Sequence, residues 1–148
     1  LAALLARGAS RDLFDAHHLL TRYALDRDKL RTAFVLYGAM NRRDWRQVTV
    51  DEIRVDAREL QNQLLPVLSG SVRTGMTSPD RWAQRLTDVC RDALSLVLPF
   101  ADAEHEFLDR LLDHGEIRGD VLGLDQRVSD LVQQHPALLW KAQNVQGR

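Results

Sequence analysis

The stretch SPDRWAQRLTDVCRDALSLVLP, from Ser78 to Pro99, carries the strongest helix pattern in this chain of 148 residues. Ser78 can cap a helix that begins at Pro79, because proline is favoured at the first helical position, and Pro99 cannot continue it. Between the two prolines, apolar side chains recur at helical spacing over about five turns. They are Trp82, Leu86, Val89, Ala93, Leu96 and Val97. The pattern predicts a helix from Pro79 to Leu98 that forms the spine of the fold and packs against a helix bearing Leu60 and Leu64.

Outward from this spine, other helices are predicted by the same signals of caps, apolar spacing, glycine and proline. Ser10 is expected to cap one of them, and the capping box Thr49-x-x-Glu52 to open another. No stretch alternates over the length of a strand. The predicted helices cover about residues 1–6, 11–24, 27–40, 50–65, 79–98, 102–114, 125–134 and 136 onward, with Leu138, Leu139 and Trp140 closing the core. The sequence therefore predicts an all-α bundle of seven or eight helices in a single domain, 1–148.

Composition excludes several classes of protein. The net charge of −1 gives no basic field for nucleic acid, and 45% apolar residues suffice for a core. Cys90 is the only cysteine, which excludes an internal disulfide, predicts no disulfide-linked partner and favours a reducing, cytoplasmic location. No apolar run approaches the roughly 20 residues needed to span a bilayer, so no membrane association is expected.

The stretch SRDLFDAHHLL, from Ser10 to Leu20, carries the strongest candidate for chemistry. Asp12 and Asp15 are three residues apart and share a helix face, and Arg11 is four residues before Asp15. Two carboxylates beside an arginine can bind a metal or orient an attacking group. Spacing alone favours the other interpretation, surface ion pairs on an amphipathic helix, because D-x-x-D is common on helices.

The longer run LAALLARGASRDLFDAHHLL resembles the third conserved motif of the AbiEii/AbiGii nucleotidyltransferase family, toxins of abortive-infection, type IV toxin–antitoxin systems. That motif has a short Ala/Leu helix, a basic turn and R-D-x-x-D at the start of a second helix. The stretch from His135 to Ala142 is similar to the closing helix of the family. The resemblance implies that Asp15 and Asp12 are catalytic carboxylates and that Arg11 contacts the nucleotide.

The catalytic half of that family, with its G-S and D-x-D motifs, has no counterpart in this sequence. The motif lysine of the family would fall just before Leu1, and the chain does not begin with methionine. We therefore expect the C-terminal helical half of a longer nucleotidyltransferase toxin. The resemblance implies that the parent transfers nucleotides from NTP, with Mg²⁺, to an acceptor such as tRNA, and that an antitoxin protein binds it. The fragment alone is expected to be inactive and to hold neither cofactor nor metal.

Two alternatives stay open. Arg11 and His17 fit the R-x(4–6)-H pattern of the HEPN ribonucleases, which are also helical, and the chain could instead be a non-catalytic helical partner-binding domain. At 100° per residue, Asp15 and His17 lie about 200° apart on a helix, so they cannot face one cleft. The nucleotidyltransferase interpretation predicts Asp15 in an accessible groove near Arg11 and His17 partly buried. The ribonuclease interpretation predicts the reverse.

The segment Asn41 to Arg46 places three arginines beside Trp45. Such a turn could stack on a base or clamp a phosphate. The favoured interpretation is a solvated loop with Trp45 anchored in the core.

Overall fold

A computed structural model describes residues 1–54, 56–70 and 78–147, and within these ranges the chain is helical and contains no strand. The α-helices within these ranges are, in order, α1 (Ala2–Arg7), α2 (Ser10–Arg22), α3 (Arg27–Ala39), α4 (Ala57–Glu59), α5 (Pro79–Leu94), α6 (Asp102–His114), α7 (Gln126–Gln133) and α8 (Pro136–Gln146). Helix α4 continues as a π-helical turn, Leu60–Leu64, and a 3-10 turn, Leu65–Val67. The all-α prediction is confirmed. The sequence also predicts a flexible loop at 69–76, with Gly70 and Gly75, and most of it lies outside the described residues.

The chain divides into two compact units, Leu1–Arg27 with Thr49–Leu98 and Asp28–Val48 with Pro99–Arg148. Each unit has fully buried side chains of its own. They include Leu13, Leu60, Leu86 and Leu94 in the first unit, and Val35, Trp45, Phe107 and Leu138 in the second. The expectation of one domain over 1–148 stays a prediction.

In the first unit, helix α5 packs mainly on α2, and its buried face differs from the predicted one. The buried residues are Ala83, Leu86, Thr87, Cys90 and Leu94, whereas Trp82, Val89 and Ala93 are only half-buried. The small side chains at 83, 87 and 90 let α2 approach closely, and the Cys90 thiol lies 3.7 Å from the Leu13 carbonyl oxygen. The predicted partner around Leu60 and Leu64 makes a smaller contact.

The start of α2 corrects the prediction for Ser10. The residue before the helix is Ala9, and Ser10 is the first helical residue. The backbone N–H and the hydroxyl of Ser10 both donate to Glu59 Oε1, at 3.0 and 3.1 Å. A carboxylate 49 residues away therefore takes the role expected of the local serine.

The capping box at Thr49 is present but opens only a 3-10 turn, Val50–Glu52. The Glu52 carboxylate accepts the Thr49 N–H at 3.1 Å. Ile53 then adopts an extended conformation, and its carbonyl accepts a hydrogen bond from Arg91 at 2.8 Å. The prediction of a continuous helix from this box was wrong, because Ile53 is extended and bonded to α5, and α4 begins only at Ala57.

In the second unit, α6 packs on α8, and the Gly115 stop is confirmed, since its φ of 67° is the left-handed conformation that glycine adopts without strain. Helix α8 buries Leu138 and Ala142, one turn apart. A helix with one buried stripe cannot also bury the two positions that follow Leu138. Leu139 and Trp140, predicted to close the core, are accordingly exposed, and so is Leu96, predicted on the apolar face of the spine helix. Helical spacing also places Tyr23, Tyr37 and Leu131 on apolar faces, and these three are exposed as well.

An ion-pair cluster in the second unit centres on Arg46. Its guanidinium contacts Asp44 at 2.7 Å, Asp109 at 2.8 Å and Asp113 at 2.6 Å. The hydrogen bonds from Arg46 hold the pKa of Asp44 below its usual value, and the three carboxylates raise the pKa of Arg46. The cluster joins the turn after α3 to α6.

We expect Arg46→Gln to lower the free energy of unfolding by about 1–2 kcal/mol at pH 7, discounted for partial exposure of the carboxylates. Because the folded-state pKa of Asp44 is depressed, this stabilisation is complete above about pH 4 and is lost as the pH falls further. Urea denaturation of wild type and variant at pH 7 and pH 2.5 measures both effects. Arg118→Gln, which breaks an exposed pair with Asp120, is the control and should change little. An undiminished difference at pH 2.5 would argue against the ion pairs.

Candidate functional site

The corner between α1 and α2 brings the predicted carboxylates together. Gly8 ends α1 with a φ of 66°, so the chain turns and Arg7 comes to face Asp12. The guanidinium of Arg7 donates to both oxygens of Asp12, at 3.0 and 2.6 Å. The Asp12 side chain is only 13% exposed. Asp12 is therefore held by a bidentate pair and offers little to a ligand.

Asp15 has a different environment. Its side chain is 66% exposed, and the nearest nitrogen of Arg11 is Nε, at 3.9 Å. Asp15 borders two shallow hollows of about 240 and 340 Å³. The smaller is also lined by Leu1, Ala3, Leu4, Asp12, Ala16 and Leu19, and the larger by Phe14, His18, Leu19 and Tyr23. Asp15 is thus the accessible carboxylate of the pair, and the highly exposed guanidinium of Arg11 lies beside it.

His17 lies half-buried on α2. Burial, and then the neighbouring His18, lower the pKa of His17. A neutral, half-buried imidazole agrees with the position predicted from helix geometry, as does the open position of Asp15. The arrangement required of a HEPN-type ribonuclease, with His17 open and Asp15 covered, is not the one observed.

The corner does not by itself fit a magnesium site. Both oxygens of Asp12 are engaged by Arg7, which leaves Asp15 as the one accessible carboxylate of the pair. In the described ranges, no three His, Cys, Asp or Glu side chains come together in a way that could hold a metal ion. What this corner can offer chemically is one carboxylate and one guanidinium, both open to solvent.

The second unit contains a larger cleft, of about 710 Å³, that sequence reasoning missed. Trp45 was predicted to anchor in the core, and it is fully buried, so it cannot stack on a ligand. The cleft is instead lined by Arg42 of the same turn and by Trp140 and Lys141 of α8. Trp140 is 58% exposed. Its position beside Leu138 and Leu139 in the sequence gave it the appearance of a core residue.

No family model, curated protein or solved structure matches the chain. The resemblance to the nucleotidyltransferase toxins accordingly stays a prediction that rests on the residues named above. None of the helices in the described ranges has the length and apolar character needed to cross a membrane.

Proposed function

We propose that the chain is the helical region of a cytoplasmic, nucleotidyltransferase-like toxin that transfers nucleotides from NTP to an RNA acceptor such as tRNA, and that an antitoxin protein restrains it. The observation that carries the proposal is the contrast within the D-x-x-D pair. Asp15 is open at the edge of two hollows beside Arg11, whereas Asp12 is tied to Arg7. Of the two, Asp15 is therefore the carboxylate that a substrate could reach.

The roles follow from these environments. Asp15 takes the proton of the acceptor hydroxyl. The hydroxyl oxygen then bonds to the α-phosphorus of the NTP, and pyrophosphate leaves. Arg11 contacts the phosphates, and Asp12 positions the corner through Arg7. The sequence contains no G-S followed by a D-x-D, because its D-x-D, Asp26-Arg27-Asp28, comes before its G-S, Gly70-Ser71. The proposal therefore assigns the binding of Mg²⁺ and of the NTP phosphates to residues outside this chain.

The test uses the whole product of the gene that encodes this chain, incubated with radiolabelled NTPs and cellular RNA. We expect Asp15→Asn to lower transfer about 10²-fold or more, because a positioned general base contributes about 10²–10⁴-fold. The matched control is Asp88→Asn, an exposed aspartate on α5 that bonds only its neighbour Gln84 among the described contacts. Circular dichroism establishes that both variants are folded.

Near-normal transfer by Asp15→Asn would contradict the proposal and would show that Asp15 serves only as an ion-pair residue. Equal losses in Asp15→Asn and Asp88→Asn would show a general effect of surface charge and count against it in the same way.

A further inference from the structure

We propose that the cleft of the second unit binds one nucleotide unit of single-stranded RNA, with the base stacked on Trp140 and the phosphate held by Arg42. The choice of an RNA strand as the source of that nucleotide rests on the proposed function. The binding chemistry does not, because it is argued from the cleft alone.

The size and aromatic wall of the cleft fit a nucleotide. Its volume of about 710 Å³ lies within the usual range of small-molecule sites, about 300–1,000 Å³. Trp140 lines it and exposes 58% of its surface, an unusual position for the largest apolar side chain. Stacking of a base on an exposed indole is favourable for every base, because each presents a π-face.

The charges of the cleft favour an anion at one place. Asp44 and Asp113 line it, but both carboxylates are bonded to Arg46. Arg42 also lines it, is exposed, and forms no hydrogen bond or ion pair with any residue in the described part of the chain. The cleft is lined by three basic side chains, Arg42, Arg46 and Lys141, and by two carboxylates. A guanidinium without a carboxylate partner is suited to a phosphate.

The turn that carries Arg42 is fixed to the helix that carries Trp140. The Lys141 ammonium donates to the carbonyl oxygen of Asn41, the residue before Arg42. Lys141 follows Trp140 on α8, and Asn144 donates to the Trp140 carbonyl at 2.7 Å. The two recognition groups are therefore held at one cleft by a direct contact between their elements, which lowers the entropic cost of binding.

The experiment measures fluorescence anisotropy of a labelled ten-residue oligouridine titrated with the full chain at moderate salt. We expect Arg42→Gln and Trp140→Leu each to weaken binding about tenfold, in line with one charge-assisted hydrogen bond and one stacked base. The matched controls are Arg127→Gln and Tyr37→Leu, which remove an exposed arginine and an exposed tyrosine of the same unit that do not line the cleft. They should bind within twofold of wild type.

Competition by unlabelled UMP distinguishes an RNA strand from a free nucleotide as the ligand of the cleft. Weak competition by UMP identifies the strand as the ligand, and full displacement at equal nucleotide concentration identifies a free nucleotide at the same site. Wild-type affinity in both cleft variants overturns the inference, as does a loss in Arg127→Gln equal to that in Arg42→Gln. The failure of the proposed function and the failure of the cleft are distinguishable, because loss of transfer is measured with Asp15→Asn, whereas oligouridine binding is measured with Arg42→Gln and Trp140→Leu.

Discussion

The Gly38→Ala variant should lose about 3 kcal/mol of unfolding free energy, the upper part of the range for an overpacked core. A Cβ atom at Gly38 would lie 1.8 Å from Nε1 of Trp45 and 2.1 Å from its Cδ1. The indole cannot move away easily, because Trp45 is fully buried and its ring packs against Phe34, tilted by 56° at a centroid distance of 5.4 Å. The closeness of the ring to the α3 backbone also leaves the indole N–H without an acceptor among the described residues.

A double-mutant cycle separates this clash from any effect on the helix itself. In a Trp45→Leu background, Gly38→Ala should cost less than about 1 kcal/mol or be stabilising, because alanine is a better helix former than glycine by about that amount. Urea denaturation of the four proteins gives the coupling energy. Equal losses from Gly38→Ala in both backgrounds would contradict the packing of Trp45 on Gly38.

The local parts of this fold could be predicted from the sequence because their causes are local. Helices α1 and α6 end at Gly8 and Gly115, because the left-handed conformation that ends a helix is adopted without strain by glycine. The starts at Pro79 and Pro136 follow from the fixed φ of proline and the absence of its N–H. Each of these four residues predicts one end of a helix to within one residue: the C-terminal ends of α1 and α6 and the N-terminal ends of α5 and α8.

The parts that escaped prediction depend on contacts between distant segments. The close approach of Gly38 to Trp45 and the bond from Ser10 to Glu59 each join residues whose spacing carries no pattern. Helix periodicity predicts the direction of an apolar face only to within about one residue. The predicted face of α5 was therefore displaced by one residue, and the helix buries Ala83 and Cys90 rather than Trp82 and Val89. A small residue on a helix allows another helix to pack closely against it, but the sequence does not show which helix does so.

The candidate site shows the same division. The Arg11–Asp15 pair was predicted from its i, i+4 spacing and is present, but at 3.9 Å it is weak. The stronger pair, Arg7 with Asp12, crosses the turn at Gly8, where helical spacing does not apply. Spacing therefore identified both carboxylates but could not tell which one would be open. The exposed Trp140 was missed for a related reason, since a Leu-Leu-Trp run on a helix does not reveal which of its members faces solvent.

Leu86→Ala is expected to lower the unfolding free energy by about 2–5 kcal/mol, the sum of lost transfer energy and the cavity that remains. Leu86 is 2% exposed at the centre of α5, and the π-helical segment, Leu60–Leu64, and α2 both pack on that helix. The surrounding side chains should move little into the cavity left by Leu86, because the small residues beside it on α5 already hold α2 close. The control is Leu96→Ala, which removes the same atoms from a side chain 44% exposed and should cost less than about 1 kcal/mol. Urea denaturation curves give both values, and a loss below about 1 kcal/mol at Leu86 would mean that this face of α5 is open to solvent.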